Sequence, residues 1–163
     1  MEIMTGSGGE HIGNLIMTTL VSMVPVVELR GAIPMGVAAG LGFWEALVAA
    51  IIGNLIPIPF IIIFIRKVFE WLRHKSEGLN RIVVRFENKA KSKKGLIDKY
   101  QWFGLVLLVA IPLPGTGAWT GALVAAMMDM RLKRAFPAIF LGVCIAGIIV
   151  AYATFGAKSL FFG

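Results

Sequence analysis

The chain has 163 residues, 58% of them hydrophobic, with a mean hydropathy of +0.83 and a formal net charge of +7. Soluble domains are roughly 45–50% apolar, and a chain of this length has too little interior to hide the excess. The composition therefore argues against a soluble globular domain. It predicts an all-α integral membrane protein, because helices satisfy their own backbone groups in lipid.

The positive charge is concentrated in residues 66–99. This segment holds 11 of the 16 Lys and Arg residues but 4 of the 9 acidic ones, so its net charge is +7 and the remainder of the chain is neutral. A basic segment between apolar blocks marks the cytoplasmic side of a membrane, and we favour this interpretation over nucleic-acid binding. We predict a multi-pass protein of the cell membrane, with residues 66–99 in the cytoplasm and no nucleic-acid partner.

The first apolar block begins with a predicted re-entrant hairpin. Residues 12–24 are apolar, but at 1.5 Å per residue they are too short to cross a hydrocarbon core of about 30 Å. The charged residues Glu28 and Arg30 follow, and then a second short apolar run, residues 32–41. The other residues assigned to the hairpin tip are Pro25, Gly31 and Pro34.

Two later segments are long and apolar enough to span a bilayer, which needs about 20 residues. They are residues 43–65 and residues 132–155. The first contains Pro57 and Pro59, so we expect a kinked or broken helix there.

The second block repeats this plan. Residues 102–111 form a short apolar run, residues 118–128 form the return, and a polar connector, residues 129–134, leads into the last spanning helix. The tip of this second hairpin is assigned to Pro112, Pro114 and Gly115.

The two blocks predict an inverted repeat within one membrane domain, residues 1–163. Repeat 1 covers residues 11–65 and repeat 2 covers residues 100–157, each a re-entrant helical hairpin followed by a transmembrane helix. With residues 66–99 in the cytoplasm, the two hairpins enter the membrane from opposite faces. Inverted-topology repeats are typical of secondary transporters.

Part of the basic loop shows helical periodicity. Its apolar residues at this spacing are Leu79, Ile82, Val83, Phe86 and Ala90. Arg81, Arg85 and Lys89 fall on another face, which predicts an amphipathic helix on the inner leaflet that binds anionic lipid headgroups. The alternative is a solvated charged linker.

Glu28 and Arg30 are the strongest functional candidates, because ionisable groups at membrane depth are energetically expensive and usually functional. A guanidinium offers a fork of donors to a phosphate group, and Glu28 is a candidate for taking up and releasing a proton. The alternative is an ion pair that only pins the hairpin.

The second tip is uncharged but offers hydroxyls, an indole and free backbone amides. We assign Thr116, Gly117, Trp119 and Thr120 to substrate binding, because amides at a helix start bind anions. Asn54, a polar residue within a spanning helix, is assigned to the same cavity. The alternative is that Gly and Thr at this tip serve close helix packing.

The sequence contains no hydrolase, kinase or metal-site signature. Its one cysteine, Cys144, lies in an apolar segment and predicts neither a disulfide nor a metal site. We therefore expect no enzymatic activity, no cofactor and no metal. Residues 1–10 contain two acidic and no basic residues, so we expect no cleaved signal peptide.

Two segments resemble a known family, the small multi-drug export proteins of bacteria and archaea. They are VPVVELRGAIPMGVAAG at residues 24–40 and IPLPGTGAWTGALVAAMM at residues 111–128. A more distant similarity reaches the DedA/VTT superfamily, whose members include polyprenyl-phosphate translocases and lipid scramblases with two opposed re-entrant hairpins. The positions that carry it are Pro114, Gly117, Gly121, Met127, Phe136 and Gly142.

The chain departs from the DedA/VTT pattern in one respect. Those proteins carry charges at both hairpins, whereas Glu28 and Arg30 share the first hairpin here. The resemblance therefore implies the fold more directly than the mechanism.

Three functions follow from these features. The leading hypothesis is a proton- or ion-coupled transporter of an anionic amphipathic substrate, such as a polyprenyl or lipid phosphate. The second is a proton-coupled multidrug exporter, in which Trp119 offers an aromatic face to a cation. The third is a membrane scaffold without transport activity. All three are compatible with a homodimer.

Overall fold

The computed structural model describes residues 4–75, 77–78, 80–81, 84, 94–113 and 116–162. Seven helices account for most of these residues, and the described residues contain no β-strand, so the predicted all-α class is confirmed. The helices are α1 (Met4–Met23), α2 (Glu28–Ala38), α3 (Phe43–Leu55), α4 (Ile58–Lys75), α5 (Lys94–Ala110), α6 (Ala118–Met127) and α7 (Leu132–Phe162).

Two stretches are long and apolar enough to cross a membrane. They are Phe43–Val68, with a mean hydropathy of 2.6, and Leu132–Leu160, with a mean hydropathy of 2.4. They coincide with the two predicted spanning segments. The first is divided into α3 and α4 by a turn at residues 56–57, because Pro57 has no N–H group with which to continue the helix. The expected break is therefore confirmed.

The two short pairs, α1–α2 and α5–α6, lie where the re-entrant hairpins were predicted. Both first helices are longer than their apolar runs, since α1 begins at Met4 and α5 begins at Lys94. A helix satisfies its own backbone hydrogen bonds and continues into polar residues once it has formed. The start of α5 thus lies within residues 66–99, which the sequence had indicated as loop.

The first tip differs from the prediction in two residues. The chain turns at residues 24–27, which include Pro25. Gly31 and Pro34, however, lie inside α2. Pro34 costs α2 one backbone hydrogen bond, because proline has no N–H group. Its fixed φ angle nevertheless suits a helix. At the second tip, Pro112 follows the end of α5, as predicted, whereas Pro114 and Gly115 lie outside the described residues. The apolar residues of the predicted surface helix, at positions 79, 82, 83, 86 and 90, also lie outside the described residues.

The core lies between the hairpins and the spanning helices, and small side chains dominate it. Fully buried members include Ala32, Ala46, Ala50, Ala118, Ala122, Ala135 and Ala138. Small residues let helices approach closely in a membrane protein. Large aliphatic residues such as Leu29 and Ile139 are buried as well, whereas several aromatic side chains are exposed, with Phe60 at 70% and Tyr152 at 69%.

The second helices of the two hairpins, α2 and α6, end in the same way. The N–H group three residues after each helix donates to a carbonyl five residues earlier. These bonds run from Leu41 to Gly36 and from Met130 to Ala125, both at 2.9 Å. The preceding residues, Gly40 and Asp129, have positive φ angles of 94° and 54°. This is the hydrogen-bonding pattern of a Schellman helix terminus, and equivalent residues are 89 positions apart.

Candidate functional site

Glu28 begins α2 in an unusual backbone conformation. Its φ angle is 48°, that of Val26 in the preceding turn is 77°, and the Glu28 side chain is only 4% exposed. A positive φ angle at a residue other than glycine costs roughly 1 to 3 kcal/mol and persists only where the surroundings fix it. The surroundings in this case belong to the other hairpin.

The Glu28 carboxylate caps the N-terminus of α6. The backbone N–H of Trp119 donates to Glu28 Oε1 at 3.1 Å. Gly117, which precedes α6, has a φ angle of 137°, and a Cβ atom at this position would overlap Glu28 Oε2. Glycine is therefore required here for its backbone angle and for the space that the carboxylate fills. A negative charge at this end of a helix is stabilised by the helix dipole.

Arg30 binds the residues that follow α5, on the other side of the second hairpin's tip from the start of α6. Its Nη1 donates to the Leu113 carbonyl, and its Nη2 donates to the Ile111 carbonyl at 3.3 Å and to Thr116 Oγ1 at 2.9 Å. The Thr116 hydroxyl lies 2.8 Å from both carbonyls. These carbonyls follow the C-terminus of α5, where a positive charge is favourable. Glu28 and Arg30 of α2 thus bind the start of α6 and the carbonyls that follow α5, respectively.

The second hairpin also donates a hydrogen bond to the first, through the side chain of Trp119. Its Nε1 donates to the carbonyl of Met23, the last residue of α1, at 3.2 Å. Trp119 stands 89 residues after Arg30, the same separation as between the matched ends of α2 and α6. Each hairpin therefore supplies a side-chain donor to the carbonyls at the end of the other hairpin's first helix.

A small pocket lies beside these contacts. Its polar lining comes from Glu28, Arg30 and Asn54, while Gly117, Ala118 and Val143 are among its nonpolar residues. In the packed conformation the pocket has no room for a whole water molecule.

Asn54 is the exceptional member of this pocket. Its side chain is fully buried, and neither Nδ2 nor Oδ1 has a hydrogen-bond partner. A buried polar group without a partner costs about 1–3 kcal/mol, so such groups point to a role other than stability. The Arg30 Nε atom is buried without a partner as well.

The structure brings most of the predicted site residues together. Those in direct contact or lining the pocket are Glu28, Arg30, Asn54, Thr116, Gly117 and Trp119. Thr120 lies half-buried in the first turn of α6 and is not part of the pocket lining. Sequence reasoning did not find the apolar lining residues Val109 and Val143, because nothing in their own sequence context distinguishes them from other core residues.

The described residues contain no group of three or more His, Cys, Asp and Glu side chains placed to hold a metal ion. The site offers one carboxyl group, one guanidinium, one carboxamide and the amides at the start of α6. This set suits the binding of an anion and the exchange of a proton.

Comparison with known protein families gives a match over most of the chain. A family described as "Putative small multi-drug export protein" matches residues 28–149. The matched region begins at Glu28 and includes the start of α6, the first candidate spanning stretch and residues 132–149 of the second. No curated protein and no solved structure matches the chain.

Proposed function

Because the chain belongs to the putative small multi-drug export protein family, we propose that it is a membrane transporter of an anionic amphipathic substrate, such as a polyprenyl or lipid phosphate. The family is named for export and not for an enzymatic reaction. The observation that carries the choice of substrate charge is the position of Glu28, whose carboxylate is bound where the second hairpin breaks.

The start of α6 already binds an anionic group in this structure, namely the Glu28 carboxylate. Helix N-termini at broken helices bind the anionic groups of substrates in other transporter folds. When the carboxylate leaves, the free amides of α6 and the nearby Arg30 guanidinium are available to a phosphate group. Binding of substrate and release of Glu28 are thus alternatives at one site.

Alternating access requires that two parts of the molecule rock around this site. The matched ends of α2 and α6, and the reciprocal bonds made by Arg30 and Trp119, support an inverted repeat with the site between its halves. The net charge of +7 in residues 66–99 supports a cytoplasmic location for that segment and a multi-pass topology in the cell membrane. The same basic segment attracts anionic lipid headgroups.

Transport is coupled to protons through Glu28. Of the charged residues described, Glu28 and Arg30 are the two that line the pocket. Protonation removes the negative charge from the start of α6 and weakens its hold on the carboxyl group. A substrate anion then replaces it, so that uptake of a proton favours binding of the anion.

The test is transport by the purified protein in vesicles under an imposed pH gradient, with fluorescent polyprenyl phosphate as the probe. We expect the probe to cross the bilayer with wild-type protein and the rate to fall at least tenfold with Arg30→Lys, which keeps the charge but not the planar fork. The matched control is Arg66→Lys, since Arg66 also donates to a backbone carbonyl, that of Met130, but lies outside the pocket. Absence of transport for every anionic lipid tested would refute the proposal.

A second candidate is a proton-coupled exporter of cationic drugs, which the family description favours. Glu28 would exchange protons for cations, and Trp119 would supply an aromatic face. Arg30 opposes this function, because it places a positive charge beside the same carboxylate. Increased drug resistance on expression, abolished by Glu28→Gln, would favour this candidate over the anion transporter.

The third candidate is a scaffold that does not transport. In that case Glu28→Gln and Arg30→Lys would leave the biological function intact wherever the protein still folds. A homodimer is compatible with each function, and chemical cross-linking in native membranes tests it separately.

A further inference from the structure

The side chain of Asn54 lacks hydrogen-bond partners, and its chemistry indicates which kind of group could supply them. A carboxamide presents a donor, the NH₂ group, and an acceptor, the carbonyl oxygen. Both are buried and unpaired in a pocket without room for water. The group that satisfies Asn54 must therefore offer one acceptor and one donor side by side.

The two protonation states of a carboxyl group differ in this respect. A carboxylate has acceptors only, whereas a protonated carboxyl has one O–H donor and one acceptor oxygen. The protonated form therefore matches the carboxamide at both atoms, while the carboxylate matches only the NH₂ group. The start of α6 has the opposite preference, because its N–H groups are donors and favour a carboxylate.

Glu28 lines the same pocket as Asn54 and is bound at the start of α6 in this structure. We propose that Glu28 has two positions selected by its protonation state: as a carboxylate it caps α6, and as a carboxylic acid it pairs with Asn54. Asn54 is then the positioning residue that couples proton uptake to release of α6. This inference rests on the proposed transport function, which it extends by naming the coupling device.

The step is a proton transfer followed by an exchange of hydrogen bonds. One proton passes from water to a Glu28 oxygen, the bond from the Trp119 N–H to the carboxylate breaks, and two hydrogen bonds to Asn54 form. Loss of the proton on the opposite side reverses the sequence. Arg30, from α2, is the other charged group around the pocket, and the lining residues that α3, α5, α6 and α7 contribute are all neutral.

The second half of the chain supplies a matched replacement. Val143 stands 89 residues after Asn54, is fully buried and lines the same pocket. Valine is close to asparagine in size, so Asn54→Val removes the unpaired amide with little change in packing. We expect this variant to unfold at the same temperature as the wild type or at a higher one, since it removes an unsatisfied buried group.

The decisive measurement is an infrared titration of the full-length protein in lipid, following the carbonyl stretch of protonated Glu28, identified by its absence in Glu28→Gln. With Asn54→Val we expect this band to shift in frequency. We also expect half-protonation to require a lower pH by about one unit, because the protonated form has lost its partner. Asn54→Thr, whose hydroxyl can both donate and accept, should lower the midpoint by less than Asn54→Val does. If Asn54→Val does not fold, a wild-type band and midpoint in Asn54→Thr would contradict the proposal.

The control is Ser22→Ala, which removes another buried polar group, one that already bonds to the Ala50 carbonyl at 2.5 Å. This variant should leave the Glu28 titration unchanged. An identical Glu28 band and midpoint in Asn54→Val and wild type would overturn the two-position proposal.

Parallel transport assays separate the two proposals. If wild-type protein moves neither polyprenyl phosphate nor inorganic phosphate but Asn54→Val shifts the Glu28 titration, the coupling device stands and the proposed substrate is wrong. If wild type transports polyprenyl phosphate and Asn54→Val leaves the titration and the pH dependence of transport unchanged, the transport function stands and the role of Asn54 is refuted. Transport of inorganic phosphate as well would show that the headgroup alone is recognised.

Discussion

The two hairpins share a backbone plan but differ in the side chains they bring to their meeting point. The first supplies Glu28 and Arg30, and α3 adds Asn54. The second supplies backbone groups at the end of α5 and the start of α6, with Gly117 and Ala118 leaving space for the carboxylate. One half thus provides the charges and the other provides the dipoles that receive them. Two similar structures can build one asymmetric site when only one of them carries ionisable groups.

The largest effect of a single substitution is expected at Arg30. Arg30→Ala leaves the carbonyls of Ile111 and Leu113 and the hydroxyl of Thr116 without their charged donor. Hydrogen bonds to charged groups contribute about 1.5–3 kcal/mol each, so we expect the free energy of unfolding to fall by about 3 kcal/mol. Denaturant unfolding in detergent measures it. Arg30→Lys should recover part of the loss, and equal stability of Arg30→Ala and wild type would contradict the capping role.

The receiving side is tested at Gly117. Gly117→Ala combines a backbone angle unsuited to alanine with a Cβ atom that overlaps Glu28 Oε2. We expect a loss of roughly 1–3 kcal/mol in the free energy of unfolding. The matched control is Gly104→Ala in α5, where a Cβ would meet no other atom within 4 Å. That change should stabilise by about 0.5–1 kcal/mol, since glycine is a poor helix former. Equal effects of the two substitutions would mean that Gly117 is not a close contact of Glu28.

The bond in the opposite direction is weaker because it is neutral. Trp119→Phe keeps the aromatic ring but removes the Nε1 donor to the Met23 carbonyl. We expect a loss of about 1 kcal/mol, measured by the same denaturant unfolding. Trp44→Phe is the control, because Trp44 is 70% exposed and should change stability by less than about 0.5 kcal/mol. A larger effect at Trp44 than at Trp119 would refute the reciprocal arrangement.

The smallest effect is expected at the far end of α6. Asp129 pairs with Arg66 at 3.3 Å but its side chain is 90% exposed. Exposed pairs contribute about 0–1 kcal/mol, and asparagine tolerates the positive φ angle of this residue. Asp129→Asn should therefore leave the unfolding temperature nearly unchanged, and Arg66 keeps its bond to the Met130 carbonyl. A substantial loss would show that this end, and not the pocket, holds the halves together.

The positions of the hairpins and spanning helices could be predicted because apolar length and proline are local signals. Pro25, Pro57 and Pro112 each lie at or beside a break. The lengths of α1 and α5 could not be predicted, since hydropathy detects the apolar part of a helix and not its polar extension. The assignment of Gly31 and Pro34 to the tip was wrong for the related reason that a proline can be accommodated within a helix.

The site was predictable in its members but not in its bonds. Glu28, Arg30 and Asn54 stand out as polar residues in apolar surroundings. Their contacts do not, because the partner of Glu28 is 91 residues away and that of Asn54 is absent from this conformation. Gly117, before α6, was a local signal of the Glu28 contact, because a glycine at a helix start leaves room for a carboxylate from another part of the chain.

The reciprocal capping has a consequence for how the protein is made. The groups that Arg30 and Glu28 bind are encoded 81 to 91 residues later in the chain. At a synthesis rate of about 5–20 residues per second, roughly 4 to 18 seconds pass before they exist. During that interval Glu28 and Arg30 lack these partners, so water, headgroups or the insertion machinery can solvate them. The contacts between the two hairpins therefore form only after most of the second half has been synthesised.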